Sequence, residues 1–250
     1  MLSRAFDYFP PIINEEDDNV YYKYIDDVDE PKEQKIIDLI NLVTLLHSKT
    51  TMYKEIDIDN YKYIYEEVNK EIEDIYNYYN IIMDNIESSI YMSPSDYLIS
   101  RNISFIYSAI SYSKRSIDRW YKLIENKRKV RVTVVHNNLS LEHYLKDDKP
   151  YLISWESSKI DMPIYDIISL YNNHYLDFDF TDLLKIYLSK YPLTHEEMLL
   201  FLSIISIPKK IISNNSEYKT VINIRKNLDY IYKTSELVKE YNIKEETDET

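Results

Sequence analysis

The sequence predicts an α+β fold that is predominantly helical. Apolar residues recur at helical spacing through most of the 250 residues. Alternation of apolar and polar residues, which is typical of strands, is confined to short segments near the start and in the middle. Helix start signals precede several of the periodic segments. A chain of this length buries a full core either as one large domain or as two packed lobes.

A strand and three helices are predicted in the first half. Residues 19–26 alternate weakly and predict a strand, and DEPKEQKIIDLINLVTLLHSKT follows with apolar residues on one helical face. An apolar stripe from Tyr61 to Ile86 predicts a long helix, and SPSD at 93–96 has the capping residues that start another. We expect these two long helices to form an antiparallel hairpin. The second should bury Phe105, Ala109, Ile117, Trp120 and Leu123.

Two strands and four further helices are predicted in the second half. VRVTVVH and PYLISWE predict the strands of a β-hairpin, with a polar loop between them. PIYDIISLYNNHY and FTDLLKIYLSKY predict helices, and THEE opens a third, where Thr194 and Glu197 form a capping box. A last helix is expected over about 217–240, followed by an acidic tail.

The composition excludes several kinds of site. The chain contains no glycine, so it cannot hold a P-loop, a dinucleotide fingerprint or a glycine-rich kinase loop, all of which need glycine to let the backbone approach phosphate. It contains no cysteine, which excludes disulfides and thiolate metal sites and suits a reducing compartment. Any nucleotide site would therefore lack a glycine-rich loop.

The charge and hydropathy of the chain bear on its partners and its location. A formal net charge of −13 argues against a nucleic-acid partner, because affinity for phosphate backbones comes mostly from clustered Lys and Arg. The one basic cluster, at 127–131, is expected to be a solvated turn. No segment predicts a secretory signal, a membrane span or a basic amphipathic face. We therefore expect a cytoplasmic protein with no nucleic-acid or membrane partner; the oligomeric state stays open.

Residues 134–170 carry motifs in an order that points to one family. The segment contains His136-Asn137-Asn138, then His143, then Ile153-Ser154-Trp155-Glu156, and then DMPIYD at 161–166. This order resembles the C-terminal lobe of the aminoglycoside phosphotransferase and choline kinase-like family, with spacing similar to its spore-coat-kinase-like branch. That family has His-Gly-Asp, an Asn five residues after the Asp, Ile-Asp-Trp/Phe-Glu/Asp, and Asp-x-Pro-x-x-Asp. LLH at 45–47 resembles the end of one of its helices.

The resemblance also implies a domain organisation. FDYFPPII resembles the segment that leaves the family's small N-terminal lobe, so residues 1–30 are expected to be a remnant of that lobe and of the hinge. Residues 31–243 should form a kinase-like helical C-terminal lobe, with a long helical hairpin insertion and a catalytic-loop hairpin at 129–156. Residues 244–250 should form the acidic tail. The family's lid and ATP-contacting lysine have no counterpart in this sequence, so a truncated N-terminal lobe is expected.

Three positions that carry the chemistry in the family have changed in this sequence. The family's Asp orients and deprotonates the acceptor hydroxyl, while its Asn and its later Asp hold Mg²⁺ on the ATP phosphates. The matching residues here are Asn138, His143 and Ser154. An amide cannot serve as a general base, an imidazole offers nitrogen where Mg²⁺ prefers oxygen, and a serine is neutral and short. The resemblance therefore implies a degenerate site with no confident catalytic or metal-binding residue.

Other residues of the segment have supporting or alternative roles. We expect His136 to brace the loop, as its counterpart does in the family, and Asp166 to anchor the loop from its helix. Glu156 and Glu142 are the carboxylates near the altered positions, and solvated side chains explain them better than a rescued metal site does. Trp155 is expected in the core beneath the hairpin.

Three functions stay open from the sequence. The first is a catalytically inactive pseudokinase that acts as a scaffold for a protein partner, with no cofactor. The second is a divergent, active kinase of a small-molecule hydroxyl, which would need ATP and Mg²⁺ and would use Glu156 or Glu142 for the metal. The third is a helical interaction protein with kinase ancestry only. A fold supports ancestry better than it supports an activity.

Overall fold

The computed structural model of the chain describes residues 30–146, 150–212 and 216–241. The strand predicted at 19–26, all but the last residue of the lobe remnant predicted at 1–30, and the acidic tail predicted at 244–250 therefore lie outside the described residues. The described chain forms two compact units: residues 30–54 with Lys129–Leu193, and Glu55–Arg128 with residues 194–241. Among the described residues, no helix combines the length and the apolar character that crossing a membrane requires.

The described elements are seven helices and five short strands. In chain order they are α1 (Lys32–Thr50), β1 (Met52–Glu55), α2 (Ile58–Ser88), α3 (Pro94–Ile124), β2 (Lys129–Val135), β3 (Tyr144–Lys146), β4 (Pro150–Leu152), β5 (Lys159–Asp161), α4 (Ile164–His174), α5 (Phe180–Lys190), α6 (His195–Ile205) and α7 (Glu217–Tyr241). The predicted α+β, predominantly helical class is confirmed.

The first unit combines two small sheets with α1, α4 and α5. β1, β2 and β5 form a three-stranded sheet in that order, and Val134 pairs with Ile160 in the antiparallel β2–β5 ladder. β3 and β4 form a second, two-stranded antiparallel sheet. The predicted hairpin within 129–156 is therefore wrong in its pairing: β2 and β4 belong to different sheets. The sequence signal missed β5, a strand of three residues that is the true partner of β2.

The helix α1 packs on this sheet through both apolar and polar contacts. Its buried stripe includes Ile36, Leu39, Ile40 and Val43, as its periodicity predicted. At its end the Thr50 hydroxyl lies 2.6 Å from that of Thr133 on β2, and both side chains are buried. A hydrogen-bonded pair of hydroxyls can be buried at low cost, because neither group is left without a partner.

The second unit is built from α2, α3, α6 and α7. α3 packs against each of the other three helices. Its N-terminus has a capping box in which Ser93 and Asp96 pair reciprocally, and Thr194 and Glu197 make the same arrangement at α6. These local contacts stop orphan backbone N–H groups from destabilising the helix starts.

The core of the second unit differs in part from the prediction. Ile117 and Trp120 are fully buried, as predicted. Leu123 is instead 38% exposed, because α3 buries the neighbouring Trp120 and Ile124 in its last turns. Phe105 and Ala109 are only partly buried and line a cavity.

Candidate functional site

The carboxylate of Asp166 is the centre of a buried polar cluster in the first unit. Asp166 lies in the first turn of α4 and is 0% exposed. One oxygen accepts a hydrogen bond from the backbone N–H of Asn137 at 2.7 Å, and the other accepts one from the N–H of His136 at 3.0 Å. A carboxylate can be buried only when such donors replace its water, and the positive end of α4 adds to this compensation. Asp166 thus ties the loop that follows β2 to α4.

A third donor to Asp166 comes from α1. His47 Nε2 lies 3.1 Å from Asp166 Oδ2, and His47 Nδ1 lies 2.7 Å from the Tyr187 hydroxyl on α5. A carboxylate only accepts, so Nε2–H donates, and in the neutral ring Nδ1 accepts from the tyrosine. His47 is fully buried, and its ring also contacts that of Tyr191 at 5.6 Å between centroids. The loop is therefore braced through α4 against α1 and α5.

His136 supports the loop from inside. Its Nε2 donates to the carbonyl of Ile153 at 2.7 Å, and its ring packs edge-on against Trp155 at 4.9 Å between centroids. The ring is fully buried, and burial lowers its pKa, although the nearby Asp166 charge acts in the opposite direction. Burial disfavours the charged ring, so the neutral form is the one that holds the two loop segments together.

Asn137 has a backbone conformation that most residues avoid. Its φ is 61°, in the left-handed region, where Asn is among the best tolerated residues after glycine. The chain therefore makes this turn with Asn rather than with glycine.

The remaining length of the loop is held by one face of α4. The carbonyl of Leu139 accepts hydrogen bonds from Ser169 Oγ at 3.3 Å and from Asn173 Nδ2 at 3.1 Å. The N–H of Leu141 donates to His174 Nε2 at 3.2 Å. With Asp166, these side chains recur at helical spacing, so one face of α4 fixes the path of the loop.

Two of the three positions that the resemblance matches to chemical roles, Asn138 and His143, contact each other on this loop. Asn138 is exposed, and its backbone carbonyl accepts a hydrogen bond from Nδ1 of His143 at 2.7 Å. His143 lies in a single 3₁₀ turn, and its own carbonyl accepts from the N–H of Ile153 at 3.0 Å. His143 is thus used to close the loop on itself.

The third matched position, Ser154, has a strained backbone. Its φ is 63° and its ψ is 55°, which is the left-handed helical region. A residue with a Cβ is disfavoured there by about 1–2 kcal/mol. Trp155 follows in a 3₁₀ turn and is only partly buried, with Nε1 donating to the carbonyl of Leu152 at 2.7 Å. The expectation that Trp155 is a core residue is therefore only partly met.

Both candidate rescue carboxylates are exposed. Glu142 lies within electrostatic reach of Lys35. Burial lowers the pKa of Lys35, and the charges of Glu30 and Glu142 oppose this only in part. Glu156 lies in the 3₁₀ turn after Ser154. The charge of Glu142 is thus partly matched by a lysine, which accounts for it without a metal.

The residues present do not fit the Mg²⁺–ATP site that the resemblance implies. The matched positions offer an amide, an imidazole whose Nδ1 is already bonded, and a serine hydroxyl, with no carboxylate among them. Mg²⁺ favours carboxylate oxygens in octahedral geometry. Within the described ranges, no group of three or more His, Asp or Glu side chains converges to hold a metal ion.

Several residues of the cluster carried no functional signal in the sequence. In the sequence His47 stands only at the end of a predicted helix, and no motif marks Tyr187, Ser169, Asn173 or His174. The spacing of the polar residues in PIYDIISLYNNHY was a usable signal, because it puts four hydrogen-bonding groups on one helical face. Tyr187 had no such signal, because its partner is 140 residues away.

The comparisons with known proteins give matches among solved structures, where six chains are similar to this one, two of which are described below. No protein-family model matches the sequence, and no curated protein is similar to it. An aminoglycoside phosphotransferase from Alicyclobacillus acidocaldarius subsp. acidocaldarius DSM 446 is similar with a TM-score of 0.47 and 9% identity, covering 82% of this chain and 66% of that one. The choline kinase LicA from Streptococcus pneumoniae is similar with a TM-score of 0.33 and 15% identity, covering 83% and 62%. The chain thus spans slightly less than two thirds of each structure's length.

Proposed function

We propose that this chain is a kinase-like protein of the phosphotransferase family that does not transfer phosphate and that acts as a binding scaffold for a protein partner. One observation carries the proposal. The hydrogen bonds that hold the loop at 136–143 in place, its frame, are complete, while the side chains that would carry its chemistry have changed. A loop whose supporting contacts are complete but whose reactive groups are missing favours a structural use of the fold.

The frame is supported by contacts at the positions that match the family. The carboxylate of Asp166 holds the loop by two backbone N–H groups, and His136 links the loop to the carbonyl of Ile153. Asn137 takes the left-handed conformation that the family's glycine is suited to. These contacts are long-range and buried, so they set the loop's geometry irrespective of any ligand.

The loss of chemistry is supported by the nature of the substituted groups. Asn138 cannot accept a proton from a hydroxyl at neutral pH, and the loss of a general base costs roughly 10²–10⁴ in rate. His143 is turned onto the carbonyl of Asn138 at 2.7 Å, which commits one of its two nitrogens. Ser154 brings no charge to the third position. The acceptor hydroxyl would lack a base, and the transferred phosphoryl group would lack groups that neutralise its charge.

A titration with nucleotide tests this proposal against the active alternative. We expect the melting temperature to change by less than about 1 °C with ATP up to about 5 mM, with or without Mg²⁺. A ligand at about 100 times its Kd would instead raise it by about 5–10 °C for a chain of this size. The second measurement is transfer of ³²P from ATP to small alcohols and amino alcohols, for which we expect no turnover.

Matched variants make the result specific. The active alternative uses Glu156 or Glu142 for the metal, so Glu156→Gln and Glu142→Gln should abolish any Mg²⁺-dependent shift of the melting temperature. The control is Glu87→Gln, an exposed change in the second unit, which should leave the shift intact. A Mg²⁺-dependent shift that follows this pattern, together with turnover, would overturn the proposal and establish an active enzyme.

A second candidate function, the helical interaction protein, is favoured by an exposed apolar segment in the other unit. Ile90, Tyr91 and Met92 connect α2 to α3 and are 91%, 88% and 51% exposed. Three consecutive exposed apolar side chains are typical of a contact surface for another protein. Once a partner is purified, its affinity for Tyr91→Asp and for Asn138→Asp will separate the two candidates. Loss only with Tyr91→Asp favours the interaction protein, and loss only with Asn138→Asp favours the kinase-like scaffold.

A further inference from the structure

A cavity of about 130 Å³ lies between α3 and α7 in the second unit, far in sequence from the loop at 136–143. Each helix contributes four residues at positions i, i+3, i+4 and i+7, so one face of each helix borders the cavity. The third wall is the end of α6. The lining residues are Phe105, Ser108, Ala109 and Tyr112 of α3, Ser206 after α6, and Ile231, Thr234, Ser235 and Val238 of α7.

The cavity exists because small side chains face one another across the seam of two helices. Ser108 and Ala109 on α3 and Ser235 on α7 stand where larger apolar residues would fill the space. Phe105 and Val238 are partly buried at its border, and Ile231 is buried. The cavity is partly open to solvent at the exposed Ser108, and most of its accessible surface is apolar.

One hydroxyl in the lining has no partner. Ser206 is 4% exposed, and within the described part of the chain its Oγ makes no hydrogen bond. The other hydroxyls are occupied: Ser108 donates to the carbonyl of Ser104, Ser235 donates to that of Tyr232, and Thr234 donates to that of Tyr230. Tyr112 is paired with Ser116. A buried hydroxyl without a partner is costly, so Ser206 is available to a bound molecule.

The surroundings of Ser206 define the chemistry of that molecule. Ser206 follows α6 directly and caps its C-terminal end, where the helix dipole is negative and a hydrogen-bond donor is favoured. None of the lining residues is charged, so an ion would lose its hydration without compensation. An apolar cavity of about 150 Å³ accepts a benzene ring, which sets the size of the occupant.

We propose that this cavity binds an uncharged single-ring alcohol of the size of phenol, with the ring between α3 and α7 and the hydroxyl on Ser206 Oγ. The site goes beyond the scaffold function proposed above and does not depend on it, because it uses no residue of the loop at 136–143. The aromatic and branched side chains bury the ring, and Ser206 selects the hydroxyl.

Phenol titration of the full chain, followed by methyl NMR of Ile231 and Val238, tests the proposal. We expect saturable shifts of these two methyl groups with a Kd of about 1 mM or tighter. Benzoate, which is similar in size but charged, should give no saturable shift. Absence of saturation with phenol at about 20 mM would overturn the proposal, as would equal binding of benzoate.

Three variants separate filling of the cavity from recognition of the hydroxyl. Ala109→Leu places a larger side chain in the cavity and should weaken phenol binding at least tenfold, while Ser111→Leu, an exposed change on the same helix, should leave it unaltered. Ser206→Ala should lower the preference for phenol over benzene by about fivefold to tenfold, because it removes one hydrogen bond.

The outcomes remain decisive if a variant fails to fold. Ser108→Leu, at the exposed rim, replaces Ala109→Leu if the melting curve of the latter is not cooperative. An unchanged preference in Ser206→Ala would overturn the assigned role of Ser206. Unchanged phenol binding in both filling variants would show that phenol binds elsewhere and would overturn the site.

Discussion

His47 Nε2 donates to Asp166 Oδ2 at 3.1 Å, although 119 residues separate the two side chains. Both side chains are 0% exposed. The same carboxylate oxygen accepts from the N–H of His136, and the same ring contacts the Tyr187 hydroxyl. The pair therefore links α1, the loop after β2, α4 and α5 in one connected network, and its removal should loosen all four.

Asp166→Ala is expected to lower the free energy of unfolding of the first unit by about 3–5 kcal/mol, because it leaves three donors, two of them buried, without an acceptor. Urea unfolding at pH 7 measures this change. A loss below about 1 kcal/mol would contradict the anchoring role of the carboxylate. Asp166→Asn keeps the shape but turns one acceptor into a donor, so an intermediate loss is expected.

The coupling between the two side chains is measured by a double-mutant cycle of His47→Phe and Asp166→Asn. We expect an interaction free energy of about 1–3 kcal/mol, because the groups share one buried network. The exposed pair Lys62 and Glu66, whose atoms lie 3.7 Å apart, is the matched control and should give about 0.3–0.5 kcal/mol or less. If the two substitutions changed the free energy of unfolding additively, the contact between His47 and Asp166 would contribute little to stability.

The stability of the first unit should depend on pH through His136. Burial lowers its pKa in the folded state, so below the unfolded pKa of about 6.5 the unfolded chain binds the extra proton first. The contribution of the neutral ring is thus complete above about pH 6.5 and is lost as the pH falls toward the lowered folded value. Urea unfolding between about pH 7.5 and pH 5 should show this decline.

His136→Gln is the control for that decline. The glutamine amide keeps a donor for the carbonyl of Ile153 but does not titrate. The stability difference between the native chain and the variant should therefore shrink as the pH is lowered. A difference that stays constant across the range would assign the pH dependence to other groups.

Because the backbone of Asn137 is left-handed, glycine should be tolerated at this position better than alanine, the opposite of the usual order. Asn137→Gly should change the free energy of unfolding by less than about 0.5 kcal/mol, because glycine adopts a positive φ without strain. Asn137→Ala should lower it by about 1–2 kcal/mol, because the Cβ of alanine is disfavoured there. Thermal and urea unfolding of the two variants provide the comparison, and a less stable glycine variant would contradict it.

The close contact between α3 and α6 predicts that stability depends on the volume of the side chain at position 113. Ser113 Oγ donates to the carbonyl of Ser203 at 2.7 Å, and Ser203 Oγ donates to the carbonyl of Ser113 at 2.9 Å, with both side chains 0% exposed. Ser113→Ala should cost about 1 kcal/mol, and Ser113→Leu about 3 kcal/mol or more by overpacking. Ser111→Ala, exposed on the same helix, should stay within about 0.5 kcal/mol. Differential scanning calorimetry separates the three.

The helices could be predicted because their signals are local. Apolar residues at i, i+3 and i+4 predicted most of the buried face of α1, and the caps at Ser93 and Thr194 predicted where α3 and α6 begin. These features depend on neighbours within one or two turns, which the sequence states directly. The structure agrees with them closely.

The part of the site that could be predicted rests on the motif match in residues 134–170. That match proposed Asp166 as the loop anchor and His136 as its brace, and both make contacts of that kind. It did not reveal His47 and Tyr187, because a buried histidine at the end of a helix has the same sequence pattern whether or not it contacts a carboxylate.

The sequence by itself determined the helical class, the helix starts and the residues of the loop after β2. The tertiary structure alone decided that β2 pairs with β5, that His47 meets Asp166, and that Ala109 borders a cavity. The physical reason is the range of the interactions. A helix forms from contacts within a few residues. A strand partner, a buried hydrogen-bond partner and a cavity depend instead on which distant surface packs against the same residues.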